Sequence, residues 1–216
     1  MIPKIIHFIW VGPNLLPEVC AGYISEWTQA YSDYTIKLWT DSDIADAGLI
    51  TSELKSLYDD PTMPCAFKAD VARYAIVNKF GGIYLDTDFQ FLKRIPSELF
   101  EHDFLGGIQN NGQIAIGFFA AIPNTDLLNE VIEQLPYSFN RAKDLGWYQA
   151  KYLEKISGPE FFDAIARKYT NYKNYLFFDS TYLYPYSWLE PHRQSESFCV
   201  TQPQAYAVHH WHKTWK

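Results

Sequence analysis

The chain has 216 residues, of which only 20% are charged, while 7 Trp, 16 Tyr and 15 Phe make 18% aromatic. That composition excludes a disordered chain, which is poor in aromatics, and a coiled coil, which needs Ala, Glu, Lys, Leu and Arg to dominate. The net charge of −7, with no basic stripe, argues against a nucleic-acid partner held through its phosphates; a phosphorylated ligand would need a cation or a few placed Arg and Lys to hold it.

The length suits one domain spanning 1–216. Residues 4–10 (KIIHFIW) are a near-continuous apolar run closed by Gly12-Pro13, as in a buried parallel strand. Pro17 to Tyr31 places Val19, Tyr23, Ile24 and Trp27 at helical spacing. Thr35–Trp39 reads as a second strand, 40–49 as a short helix with a polar start, and 51–58 as another helix. Pro64 opens a longer helix that Gly81-Gly82 stops, Pro at the first turn and Gly past the end being the expected asymmetry. One strand is expected across 83–92, others at 103–108 and 114–121, and a helix at 125–135. Beyond these, 157–169 reads as a helix after its Gly-Pro, 174–178 and 181–186 as aromatic strands, and 204–211 as a last strand. Strand–helix alternation in the first half implies an α/β layer fold with a mostly parallel sheet.

Cys20, Cys65 and Cys199 are odd in number, widely spaced and outside any CxxC, as expected of reduced thiols. The N-terminal apolar run lacks a small-residue cleavage site, and no stretch approaches the roughly 18 apolar residues of a membrane span. The expectation is a cytoplasmic chain with no transmembrane segment, for which peripheral membrane association is left open.

Two Asp-x-Asp pairs occur. Asp41-Ser42-Asp43 lies between a strand and a helix, where such side chains cap free N–H groups. Asp86-Thr87-Asp88 follows the apolar GGIYL. On a strand, residues i and i+2 share a face about 7 Å apart, so two carboxylates there repel unless a positive charge such as a divalent ion joins them. Asp70 and Arg73, three apart on an otherwise apolar helix, are expected to face a site rather than open water. The C-terminal AVHHWHKTWK puts His209 and Trp211 on one strand face, His210 and His212 on the other. One imidazole beside two carboxylates makes a mixed N/O metal site, with His209 or His210 as the ligand. Trp10 closes the first strand, either stacking on a flat ring or plugging the core. Gly158-Pro159 reads as a turn. The run 172–188 holds eight aromatics and is a candidate acceptor groove, since sugar C–H faces pack on aromatic rings.

Taken in order, IPKIIHFIWVG (2–12), AxxxDxxRYAIVxxxGGIYLDTD (66–88), SGP (157–159) and AVHHWxxTW (207–215) resemble the DXD-containing glycosyltransferases of family 32. These include yeast-type mannosyltransferases and bacterial enzymes of capsular, exo- and lipopolysaccharide synthesis. The likeness extends, more distantly, to the glucosyltransferase domain of large clostridial toxins. It implies a GT-A type α/β fold, with 1–122 mainly binding a nucleotide sugar and 123–216 mainly serving the acceptor and supplying a C-terminal metal and diphosphate segment. By resemblance, Ile9 and Trp10 meet the donor, Trp10 stacking on its base. Asp70 and Arg73 hold the sugar hydroxyls, and Tyr84 lines the nucleotide pocket. Asp86 contacts ribose or metal, Asp88 is the principal metal ligand and His209 completes the set. Thr214 and Trp215 match a Ser-Trp pair that contacts the diphosphate. Asp70, Arg73, Asp86 and Asp88 form the catalytic group. Mn2+ or Mg2+ is the implied ion and a UDP- or GDP-sugar the donor. The acceptor is a glycan or glycolipid, in second place a protein, and transfer retains anomeric configuration. One departure is Ile116 before Gly117, where relatives carry Asn; Asn111 or Gln113 is the candidate replacement. The reading from another class is a nucleotide-sugar- or carbohydrate-binding protein without turnover.

Overall fold

The computed structural model describes residues 1–61, 63–146, 152–187, 189–190 and 202–212. A six-stranded sheet runs in the order β2 (Thr35–Trp39), β1 (Ile5–Ile9), β3 (Gly82–Leu85), β6 (Ile114–Ala121), β5 (Phe104–Ile108), β7 (Tyr175–Phe178). The pairs β1–β2, β1–β3 and β5–β7 are parallel, while β3–β6 and β5–β6 are antiparallel. A separate antiparallel ribbon joins β4 (Phe89–Phe91) to β8 (Ala207–His209).

Strand alternation divides the core in two. Ile6, Phe8, Ile83, Leu85, Phe118 and Ala120 face one side, packed with Trp27 of α1 (Glu18–Ala30) and with Tyr31, which caps its C-terminal end. Ile9, Tyr84, Phe119 and Ala121 face the other, against α4 (Cys65–Phe80) and α5 (Asp126–Asp144). Both faces of the sheet are therefore covered, as the apolar run at 4–10 requires. The short helices α2 (Asp41–Asp46) and α3 (Ser52–Tyr58) lead into α4, and α6 (Leu153–Ile156) and α7 (Pro159–Ala166) follow α5.

α4 is buried over most of its circumference, including Asp70 and Arg73. At its end Gly81 (φ +63°) and Gly82 (φ +98°) turn the chain straight into β3, and a Cβ on Gly82 would stand 2.6 Å from the Ile5 carbonyl oxygen. His7 of β1 closes this corner. Its Nδ1 accepts the Trp39 indole N–H at 3.1 Å, so the proton sits on Nε2, which donates to the Gly81 carbonyl at 2.8 Å. Burial pushes the His7 pKa down to about 4. The unfolded chain takes up this proton near pH 6.5, the folded chain only near 4, so stability is lost as the pH falls between those values. The full loss is about 3 kcal/mol. In denaturant titrations, His7→Gln is expected to flatten the wild-type decline between pH 6.5 and 4.

Three expectations are corrected. The strand across 83–92 is two strands in two sheets. Asp86 N–H makes a last bond to the Gly117 carbonyl, and Phe89 N–H then closes a turn onto the Asp86 carbonyl, which sends β4 away to pair with β8. The aromatic stretch 181–186 holds no strand: α8 (Ser180–Leu183) starts there, capped by Asp179, whose carboxylate accepts from Thr181 N–H. The helix from 125 runs on to Asp144 through Pro136, because Phe139 and Ala142 continue the buried stripe of Val131 and Leu135 past the proline. Among the described residues no helix is long and apolar enough to cross a membrane.

Candidate metal and donor site

The site forms where β3 leaves the sheet. Asp86, Thr87 and Asp88 lie in the turn between β3 and β4, not on a strand, and the turn aims both carboxylates at the imidazole of His209. Register explains why it is His209. Phe89 pairs with His209 across the β4–β8 ribbon, and their rings stack with centroids 4.6 Å apart. His209 Nε2 then stands 3.0 Å from Asp88 Oδ1 and 3.6 Å from Asp86 Oδ2. His210 faces away, bonded to Gln90 and Tyr186 at 2.9 Å each and stacked on Tyr23.

Each carboxylate is held by further groups. Asp88 Oδ2 accepts the backbone N–H of His212 at 2.8 Å. Asp86 Oδ1 accepts from Tyr84 OH at 2.6 Å and from Arg73 Nη1 at 3.0 Å, leaving Oδ2 toward His209. Burial would raise the Asp88 pKa, but the imidazolium of His209 and the His212 N–H outweigh it and hold the carboxyl well below the carboxylate range. Burial likewise opposes charge on His209, and Asp88 overcomes it, so the His209 pKa is raised. Both shifts favour a positive charge beside the paired carboxylates.

Donor chemistry tests whether a metal fits. Two carboxylate oxygens and one imidazole nitrogen lie within 4.8 Å of one another. Oxygen-rich sets of this kind suit Mg or Mn, which take one or two carboxylates and complete their shell with water and substrate phosphates. Among the described residues His209 Nδ1 is buried without a hydrogen-bond partner, so the Nε2 edge carries the polar role of this ring. The residues present fit a divalent ion.

Arg73 joins this cluster to a second one. Its Nη2 is 3.1 Å from Asp70 Oδ1, its Nη1 donates to Asp86 Oδ1 and to the Ile116 carbonyl, and its guanidinium lies 4.8 Å from the Tyr84 ring centroid. Asp70 Oδ2 accepts the Ser157 hydroxyl at 2.8 Å. Burial pushes Asp70 up to about 6, with Arg73 and Ser157 pulling the other way. Tyr84 is 1% exposed and lies beneath the site with its hydroxyl on Asp86. Ile9 is buried in β1, and Trp10, 9% exposed, donates its indole N–H to the Asn14 carbonyl. Thr214 and Trp215 lie outside the described residues.

The remaining sequence candidates fall into place around these. Thr40 and Asp43 make a capping box on α2, while Asp41 accepts the Gly12 N–H at 2.8 Å and ties down the loop after β1. Asn111 and Gln113 are spent on the β5–β6 turn, where Gln113 N–H donates to Asn111 Oδ1. At the departure from the family pattern Ile116 contributes its carbonyl, and Gly117 makes room: a Cβ there would stand 2.8 Å from Asp86 Oδ2. The aromatic run at 172–188 is mainly core, not groove, because Phe178, Tyr184 and Tyr186 are buried and Tyr175 and Phe177 pack on Phe104. Trp188 lies outside the described residues. Sequence reasoning missed Ser157, which stood in plain view as part of SGP, but a turn was its sufficient explanation.

Comparison with known proteins bears on the family and the fold. Residues 17–105 match the family described as "Glycosyltransferase sugar-binding region containing DXD motif". Inositol phosphoceramide mannosyltransferase 3 of Schizosaccharomyces pombe is 32% identical over 173 residues, covering 76% of this chain and 44% of that protein. The chain thus spans less than half of that relative's length. The UDP-bound glycosyltransferase domain of the YGT toxin superposes with a TM-score of 0.62 at 10% identity, over 82% of this chain and 79% of that one. The catalytic domain of alpha-toxin from Clostridium novyi gives 0.56 at 14% identity, over 77% and 72%. At such identities the two structures speak for the fold. Sequence match, topology and site together make this chain similar to the family 32 glycosyltransferases, with their DXD-containing sugar-binding region carried on a GT-A type fold.

Proposed function

We propose that this protein is a metal-dependent retaining glycosyltransferase that moves a hexose from a UDP- or GDP-sugar to a glycan or glycolipid acceptor. The observation that carries the reading is the convergence of Asp86, Asp88 and His209 within 4.8 Å, bridged through Arg73 to the buried Asp70. The acidic chain would otherwise repel a nucleoside diphosphate. Asp86, Asp88 and His209 would hold a divalent ion, which would supply Lewis acidity toward the departing diphosphate. Asp70 and Arg73 hold the sugar at its hydroxyls, and Trp10 at the end of β1 meets the base. An oxocarbenium-like transition state is expected, as in other glycosyl chemistry. The name of the fission-yeast relative, an inositol phosphoceramide mannosyltransferase, supports a glycolipid acceptor, which a cytoplasmic, peripherally membrane-bound enzyme would meet.

The test is a thermal-shift screen of UDP- and GDP-sugars with Mn2+ present, followed by release of free nucleotide from whichever donor stabilises the fold. A ligand at a hundred times its Kd stabilises by about 2.7 kcal/mol, well within reach of a melting curve. Turnover that is indifferent to chelator would refute metal dependence. Tight donor binding with neither transfer nor hydrolysis would return the chain to a binding protein.

A further inference from the structure

Ser157 lies 87 residues from Asp70 in sequence, yet its hydroxyl meets that carboxylate directly. It is fully buried, and each of its polar groups is committed. Its N–H donates to the Leu153 carbonyl at 3.0 Å, closing α6. Its carbonyl accepts the Tyr74 hydroxyl at 2.7 Å, and its own hydroxyl donates to Asp70 Oδ2 at 2.8 Å. The following turn packs closely on α6, since a Cβ on Gly158 would stand 2.8 Å from Glu154 Cα. Ser157 is therefore a fixed donor, placed by α6 and by Tyr74 of the same helix that carries Asp70.

The lone pairs of Asp70 show what this placement does. An ionised carboxylate offers about four acceptor sites, two on each oxygen. Among the described residues Arg73 occupies one on Oδ1 and Ser157 one on Oδ2, which leaves one on each oxygen. Those two suit a pair of neighbouring hydroxyl donors. Their direction depends on the plane of the carboxylate, and the terminal torsion of Asp is soft. With Arg73 alone the plane would turn about a single anchor; with Ser157 it has two.

We propose that Ser157 is a positioning residue that fixes the carboxylate plane of Asp70 and so determines which configuration of adjacent hydroxyls on the donor sugar is accepted. This rests on the donor-sugar role proposed for Asp70. Ser157 touches no reacting atom in this scheme and acts only through Asp70.

The experiment uses the full chain with Mn2+ and whichever of UDP-glucose, UDP-galactose, GDP-mannose and GDP-glucose binds wild type most tightly, together with its epimer in that panel. Ser157→Ala is expected to raise KM for the preferred sugar donor about tenfold and to lower the preference over its epimer by a similar factor, the scale of one hydrogen bond to a charged group. Affinity for the free nucleoside diphosphate should stay within about twofold, because the metal cluster is untouched. Ser157→Thr keeps the hydroxyl and should restore the preference. Tyr74→Phe, which frees the Ser157 carbonyl, should shift it the same way to a smaller extent, and this variant decides the matter if Ser157→Ala does not fold. An unchanged epimer preference in the variants overturns the proposal, as does an equal loss of affinity for the free diphosphate, which would mark a merely structural role. Failure of wild type to bind any of the four donors would instead overturn the donor reading itself.

Discussion

Asp88→Asn is expected to lower turnover about a thousandfold, the loss that follows when several kcal/mol of Lewis-acid stabilisation disappear from the transition state. The substitution keeps the size of the side chain and removes its charge. Asp88 has two tasks that need an anion: Oδ1 faces His209 Nε2 at 3.0 Å, and Oδ2 accepts the His212 N–H at 2.8 Å. An amide can present an oxygen to one of these but an N–H to the other. Calorimetry should show weaker Mn2+ binding and, in the presence of Mn2+, weaker binding of the nucleoside diphosphate. Adding chelator to wild type should reproduce the loss of turnover, and adding it to the variant should change little. A variant that keeps wild-type turnover would remove Asp88 from the metal site.

Arg73→Met should be the most destabilising single change at the site, by about 3–5 kcal/mol, the usual cost of removing one partner from a buried ion pair. Arg73 is 3% exposed and holds Asp70, Asp86 and the Ile116 carbonyl together. Without it Asp70 remains buried, with Ser157 as its one neutral side-chain donor among the described residues. Burial already pushes the Asp70 carboxyl up to about 6 against the pull of Arg73, and losing the cation raises it further. A carboxyl whose folded pKa lies above its unfolded value favours the folded state at low pH. The deficit of the variant relative to wild type should therefore grow as the pH rises above 6 and shrink as it falls back toward 6. Urea titrations at pH 5 and pH 8 measure this directly. Arg73→Lys keeps the charge but not the planar fork that reaches both carboxylates, so it should recover part of the stability and little of the activity.

The first half of the chain was legible because its signals are local. Apolar runs marked β1 and β2, and Pro64 and Gly81-Gly82 bracketed α4 nearly to the residue. The spacing of Asp70 to Arg73 and of Asp86 to Asp88 named the charged groups that the structure brings together through Arg73. The second half was less legible. Its aromatic residues satisfy strand, helix and groove equally well by type, and their assignment depends on what they pack against. Tyr184 illustrates this: read as part of a strand and a sugar-binding run, it follows α8 as a fully buried ring set edge-on to His209.

By itself the sequence determined an α/β chain with an acidic pair after an apolar strand, and it put His209 and His210 on opposite faces of the last strand. It could not tell which face meets the carboxylates. That choice belongs to the β4–β8 register, in which Phe89 pairs with His209 more than a hundred residues away. The break between β3 and β4 was likewise invisible, since alternation continues through Asp86 and Asp88 and only the bond from Asp86 N–H to Gly117 and the turn after it end the strand. Ser157 was hidden for the same reason. Local chemistry says which residues can carry a charge or a hydroxyl; the packing of distant elements decides which of those groups share one buried site.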